Sequence, residues 1–384
     1  MKRIWHHLFA GLGLLSLMLA ACARASTATP AGGGPQTVEV TREVPVTVEV
    51  PVQATVVVQV PAVVVPTGGR LDTIKARGSL ICGVNGGLPG FSFLESDGSF
   101  SGFDADFCRA VAAAVFGDPS AVEFRALSAQ ERFTALQTGE VDVLIRNTTW
   151  TYLRDVELGT TFGPTTFYDG QGMLVHADLG VTTLEDLEGG TICVQTGTTT
   201  ELNLTDQMAA RGISYDPVVF EDIDATYAAY EENRCDAVTS DRSQLVGRRS
   251  AMADASAHVL LDVVMSKEPL GPLTLQGDSQ WSDVVAWTVY GVLAAEEKGI
   301  NSGNVDSFAS TTDPEIKRML GLDDSGLGAK LGLENDWLVN VITAVGNYGE
   351  IYDRSLGPDT PLDIDRGPNQ LWTQGGLLYS PPFR

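Results

Sequence analysis

Residues 141–155 read Val-Asp-Val-Leu-Ile-Arg-Asn-Thr-Thr-Trp-Thr-Tyr-Leu-Arg-Asp. An apolar run over 141–145 gives way to Asn147, Thr148 and Thr149, and Arg154 follows on a segment whose pattern predicts the next helix. A strand with a polar tip that runs into a helix is the building unit of an open α/β sheet, where ligands bind beyond the carboxyl ends of the strands. Asn147, Thr149 and Arg154 thus fall where a small polar molecule would be held, and the planar fork of Arg154 suits a carboxylate. Taken singly, these residues also describe a helix cap and a solvated arginine. The choice needs a constellation.

The chain supplies one when compared with itself. Residues 141–147 (VDVLIRN) have a counterpart in 235–241 (CDAVTSD), which makes Asn147 and Asp241 equivalent strand tips. Upstream, 80–84 (LICGV) answers 191–195 (TICVQ), each an apolar strand running into a glycine-bearing loop and then a helix. Both halves read strand, helix, strand, helix, strand, the pattern of parallel sheets with right-handed crossovers. Two similar lobes facing each other make a cleft. In the second lobe Gly197-Thr-Thr-Thr-Glu201 opens a helix, with Thr198 and Glu201 at capping-box spacing. A helix start carries unpaired N–H groups and partial positive charge, so this loop is a ready carboxylate site. Asp241 offers the opposite charge for an amino group, although another helix cap is its plainer reading.

Around this frame, the spacing predicts helices over 71–77, 104–115, 225–231, 282–298, 314–320 and 337–345, and strands over 122–126 and 218–221. Ser128-Ala-Gln-Glu131 fits a capping box, and 93–103 reads as a hairpin-like excursion around Asp97-Gly98. Segments 162–175 and 259–272 are expected to carry the chain across to the second lobe and back. The end of the chain, 366–384, is expected to pack along the first lobe.

Length and composition agree with two domains in a globular chain: 384 residues, 43% hydrophobic and 19% charged. A formal charge of −24 argues against nucleic acid or an anionic bilayer as partner, since both would repel it. Residues 1–22 read as an export signal, with Lys2 and Arg3, an apolar core over 8–19 and the small-residue run Leu19-Ala-Ala-Cys22. Residues 23–69 are rich in Thr, Val, Pro and Gly and read as a disordered tether, a β-prone edge at 55–60 being the alternative. Beyond Cys22, Cys82, Cys108, Cys193 and Cys235 fall two to a lobe. Export permits disulfides, three pairings are open, and pairing within lobes is the simplest. Cys193 with Cys235 is favoured because first and third strands are neighbours in many doubly wound sheets. For Cys82 with Cys108, free thiols are an equal alternative.

Leu19-Ala-Ala-Cys22 resembles a bacterial lipobox, and the runs 146–155 (RNTTWTYLRD), 168–172 (YDGQG), 197–203 (GTTTELN), 266–271 (SKEPLG), 345–350 (VGNYGE) and 375–384 (GGLLYSPPFR) resemble amino-acid-binding proteins of ABC importers, the general L-amino-acid branch above all. The resemblance covers residues 70–384. It implies a two-lobed periplasmic-binding-protein fold of type II, two doubly wound sheets joined by a two-segment hinge, with lobe 1 formed by 70–166 plus 270–384 and lobe 2 by 167–269. It implies that Arg154 holds the α-carboxylate of a free L-amino acid with help from Thr198 and Thr199, that Asp241 takes the α-ammonium, and that Asn147 and Thr149 add hydrogen bonds. In the first-lobe loop it places Leu88 where many relatives carry a ring that stacks on the ligand, with Phe91 as a substitute, and Asn85 where narrower relatives carry a charge. Broad specificity is the expectation. The implied partners are a permease and ATPase complex, and the implied mature form is a monomer anchored outside the cytoplasm through lipid on Cys22.

Two rivals stay open on the sequence. One is an enzyme on the same scaffold, dehydratase-like, although after the export signal only His176 and His258 remain as histidines and no G-x-S-x-G, H-E-x-x-H or C-x-x-C occurs. The other is a sensing module for a membrane kinase. No metal and no organic cofactor is expected.

Overall fold

The computed structural model describes residues 69–384. The export signal, Cys22 and the tether up to residue 68 lie outside the described residues. Two five-stranded sheets organise the rest. The first runs Val122–Ala126, Leu80–Val84, Val143–Leu144, Leu273–Leu275, Thr160–Phe162, and the second runs Asp216–Phe220, Thr191–Gln195, Ala237–Asp241, Gln171–His176, His258–Leu260. In each sheet the first three strands are parallel, with the first in sequence at their centre, and the last two join by antiparallel ladders. The internal repeat read from the sequence is therefore a repeat of topology. The strands 80–84, 122–126 and 191–195 form where the sequence predicts them.

The crossings are shorter than expected. Within 162–175 and 259–272, Gln171–His176 and His258–Leu260 are strands of the second sheet, and the adjoining Leu273–Leu275 belongs to the first. Gln171–His176 is buried along its whole length, which makes it a core strand rather than a connection. What crosses is an antiparallel ribbon of Phe167–Asp169 and Glu268–Leu270, with Leu270 opposite Phe167 and Glu268 opposite Asp169. The buried Asn369 grips this ribbon. Its Oδ1 accepts the Tyr168 N–H at 2.6 Å and its Nδ2 donates to the Tyr168 carbonyl at 3.1 Å.

Helix Phe103–Phe116 packs between Trp337–Val345 and Ser279–Glu297, so chain beyond the second sheet supplies much of the first core. Trp281 is fully buried there and donates through Nε1 to the Asp142 carbonyl at 2.8 Å. Helices Leu327–Leu331 and Tyr348–Ser355 were not foreseen; the second opens with an Asn347–Glu350 capping box. In the expected box at 128–131, Ser128 and Glu131 bond each other's backbone N–H at 3.1 Å.

Cys82 is joined to Cys108, strand to helix, and Cys193 to Cys235, strand to the approach of its neighbour. A bridge spanning 26 positions restricts the unfolded chain by about 3.5 kcal/mol in the chain-entropy account. Cys108→Ser is accordingly expected to destabilise the protein by about that much, read as a lower urea midpoint, with a steeper slope because the freed unfolded chain exposes more surface. An unchanged midpoint would show that the Cys82–Cys108 bridge adds nothing to stability.

Candidate functional site

The tips of both sheets meet around a small polar pocket. From the first sheet come Asn147, Thr149 and Arg154, and from the second Thr198, Thr199 and Asp241. These six expected residues share one cleft. Asn147 sits at φ +33, a backbone region that asparagine tolerates better than most residues. The turn is fixed because its N–H donates to Asp104 Oδ2 at 2.8 Å, and Asp104 is buried at the start of helix Phe103–Phe116. Burial pushes that carboxyl up to about 7, against the pull of the Asn147 N–H and Arg146.

Thr151 caps helix Tyr152–Glu157 and places Arg154 over the Phe133 ring, 5.2 Å from its centroid, with Nη1 donating to the Thr149 carbonyl at 2.9 Å. The loop before this helix is tied to the hinge, for Trp150 donates its N–H to the Pro269 carbonyl at 2.8 Å and Thr149 pairs with Leu270. On the other side, Thr198 caps helix Thr199–Arg211 by accepting the Glu201 N–H at 3.1 Å. The reciprocal half of the box is displaced, since Glu201 takes the Gly197 N–H instead. Thr198, Thr199 and Thr200 at the start of this helix line the pocket, and a helix start, with its unpaired N–H groups, is the arrangement that receives carboxylates. The Thr199 hydroxyl donates to Glu268 Oε2 on the hinge ribbon at 2.9 Å and lies 3.4 Å from that of Thr149. Asn147 Nδ2 reaches Gln244 Oε1 at 3.4 Å, so the two sides touch across the pocket.

Asp241 is 5% exposed, and burial, reinforced by the carboxylates of Asp169 and Glu268, holds it well above the usual carboxylate range against Arg132 and Arg154. A group so placed gains strongly from a cation brought to it.

The loop residues fare differently. Leu88 and Phe91 are fully buried in the first-lobe core rather than on the cleft, because Gly87–Leu88, Ser92–Leu94 and Phe100–Ser101 fold back as a small sheet. Phe91 meets Phe103 and Phe167 edge-on, with centroids at 5.8 and 5.2 Å. Asn85 stands one step behind the lining and donates through Nδ2 to Asn147 Oδ1 at 3.0 Å. The expected list lacked Arg132, Arg146, Gln195, Thr200, Ser240 and Gln244, which also line the pocket. Arg146 and Ser240 are counterparts in the same repeat that equates Asn147 with Asp241, so that alignment contained them.

Among the described residues no group of His, Cys, Asp and Glu is arranged to hold a metal ion, and no helix is long and apolar enough to cross a membrane.

Residues 80–286 match the Bacterial extracellular solute-binding proteins, family 3. The chain is similar to the General L-amino acid-binding periplasmic protein AapJ of Rhizobium johnstonii, with 51% identity over 82% of this chain and 92% of the relative. It is similar to the Glutamate/glutamine/aspartate/asparagine-binding protein BztA of Rhodobacter capsulatus, with 48% identity over 82% and 93%. Among solved structures it resembles an ABC transporter periplasmic binding protein from Brucella ovis with glutathione bound, at TM-score 0.81 and 51% identity, covering 82% of this chain and 99% of the other.

Proposed function

The chain belongs to the bacterial extracellular solute-binding proteins of family 3, and from that premise we propose that it is an extracytoplasmic receptor that binds free L-amino acids between its lobes and delivers them to an ABC permease and ATPase complex. One observation carries the reading: Arg154 and the start of helix Thr199–Arg211 converge with the buried Asp241 on a single small pocket. A free amino acid brings a carboxylate and an ammonium on one carbon, and this pocket presents a partner for each. Arg154, with the N–H groups at Thr198 and Thr199, holds the carboxylate; Asp241 holds the ammonium; Asn147 and Thr149 bond the remaining polar edges. Lobe 1 is 70–166 plus 270–384 and lobe 2 is 167–269, closing about the ribbon. The receptor is a monomer that performs no chemistry on its ligand, tethered by lipid on Cys22.

Calorimetric titration of the full chain, freed of bound ligand by unfolding and refolding under oxidising conditions, tests this against the common L-amino acids. Saturable binding of several of them, each recovered unchanged, is the expected result. Silence across the panel from a folded protein would overturn the assignment. The Brucella ovis relative gives a second reading, a γ-glutamyl peptide, whose γ-linked glutamate leaves the same α-carboxylate and α-ammonium free. Glutathione belongs in the panel, and its binding to the exclusion of free amino acids would decide for it.

A further inference from the structure

We propose that the glycine-rich loop at the tip of Leu80–Val84 is the seat on which the second lobe closes, and that Gly247 and Gly87 are positioning residues whose missing side chains let the cleft shut around a ligand. This rests on the receptor reading above and names what assembles its site.

The loop that looked like a ligand lid faces another element instead. Strand Gly87–Leu88 packs against helix Arg242–Ser250, which belongs with the second sheet. Gly247 lies buried inside that helix, where glycine is less stable than alanine, so its place asks for a cause. The Pro89 carbonyl supplies it: a Cβ on Gly247 would stand 2.8 Å from that oxygen, nearer than a side-chain carbon comes to a backbone oxygen. Gly87 meets the same lobe alongside. A Cβ there would lie 3.0 Å from Arg248 Nη2 and 3.3 Å from Ile223 Cγ2. Arg248 is itself held, its Nη1 donating to Asp224 Oδ1 at 2.6 Å and its guanidinium lying 5.1 Å from the centroid of the Tyr227 ring.

Neither side yields cheaply. The loop is pinned by Leu88 and Phe91 in the core, by the Asn85 N–H on Ser92 Oγ at 2.9 Å and by the Gly87 N–H on Asn85 Oδ1 at 3.2 Å. The helix is tied to the ligand site, for Asp241 immediately precedes it and Gly247 follows by about 9 Å of helix. A wedge at Gly247 therefore pushes Asp241 away from Arg154. The Gly87 contact also lies far from the ribbon. The ribbon joins the second sheet through Gln171–His176 and His258–Leu260 at one edge, whereas Ile223 follows Asp216–Phe220 at the other. Groups at that far edge separate most when the lobes rotate apart about the ribbon, so their contact marks the closed state.

A ligand enters and leaves while the lobes are apart, so weakening the closed state speeds release more than it slows capture. The refolded full chain is titrated by calorimetry and followed by stopped-flow fluorescence with each common L-amino acid that the parent binds. Gly247→Ala is expected to weaken binding about tenfold, with the on-rate within about threefold of the parent. The urea midpoint of the ligand-free chain should equal or exceed the parent's, because alanine favours the helix. Gly87→Val should act in the same way, and its loss should shrink when Arg248→Ala is already present. Parent-like affinity and release in Gly247→Ala and Gly87→Val would overturn this proposal and leave the receptor reading standing. A fall in the ligand-free midpoint that matches the loss of affinity in Gly247→Ala would assign the glycine to folding and overturn it too. Silence of the parent toward every amino acid would remove the receptor reading, and this proposal with it.

Discussion

Arg154→Ala is expected to abolish practical amino-acid binding, weakening it by about 3–5 kcal/mol, because a buried carboxylate loses the charge that answers it. That loss corresponds to roughly two to three and a half decades in Kd. The guanidinium is held by the Thr149 carbonyl and by the Phe133 ring, so little ordering remains to be done when a ligand arrives. Arg154→Lys retains a charge but loses the fork, and should fall between parent and alanine variant. Calorimetry at matched folded fraction makes the comparison. Parent-like affinity in Arg154→Ala would keep the receptor and remove this anchor.

Asp241→Asn should cost a similar 3–5 kcal/mol of affinity for amino acids, and its more informative signature is in pH. In the free protein burial holds the Asp241 carboxyl above its ordinary range, while a bound ammonium favours the ionised form. Binding therefore expels a proton wherever the free group is protonated. Affinity should fall as pH drops through that raised pKa, by up to about tenfold per pH unit, and level off above it. Titrations in two buffers of different ionisation enthalpy would show proton release. Asp104 and Asp169, raised by burial to about 7 and about 6, add a pH dependence of their own. Asp104 remains in both proteins, whereas Asp169 acts on Asp241 through its charge, so the part of the slope that vanishes in Asp241→Asn belongs to that pair. Identical pH profiles in parent and variant would remove Asp241 from the ammonium site.

The central parallel strands Leu80–Val84, Thr191–Gln195 and Ala237–Asp241 were legible because each is a short, largely buried run that ends in a glycine-bearing loop or a polar tip. The antiparallel strands Gln171–His176 and His258–Leu260 were read as connections. They have no crossover helix to announce them, and their place depends on a sheet edge that only the assembled lobe provides. The cleft followed the same division. Asn147 and Asp241 stand at strand tips, where sequence position implies spatial position. Arg132 lies one residue into helix Glu131–Gln137, where a charge reads as solvated surface, and only tertiary packing turns it inward. Leu88 and Phe91 erred in the opposite sense. Their glycine-rich loop looked like a ligand lid, yet large apolar side chains gain most by joining the nearest core, and the hairpin lets them.

The ribbon gripped by Asn369 draws on parts of the chain that become available at different times. All five strands of the second sheet come from one continuous stretch, residues 171–260, whereas the first sheet waits for Leu273–Leu275 and its core for helices up to Tyr348–Ser355. The brace on Tyr168 arrives 201 residues after its partner. A chain emerging amino end first can finish the second lobe while the first is still open, and its hinge is completed only when nearly the last residues are free. Chains cut short before residue 369 would therefore carry a finished second lobe on an unbraced hinge.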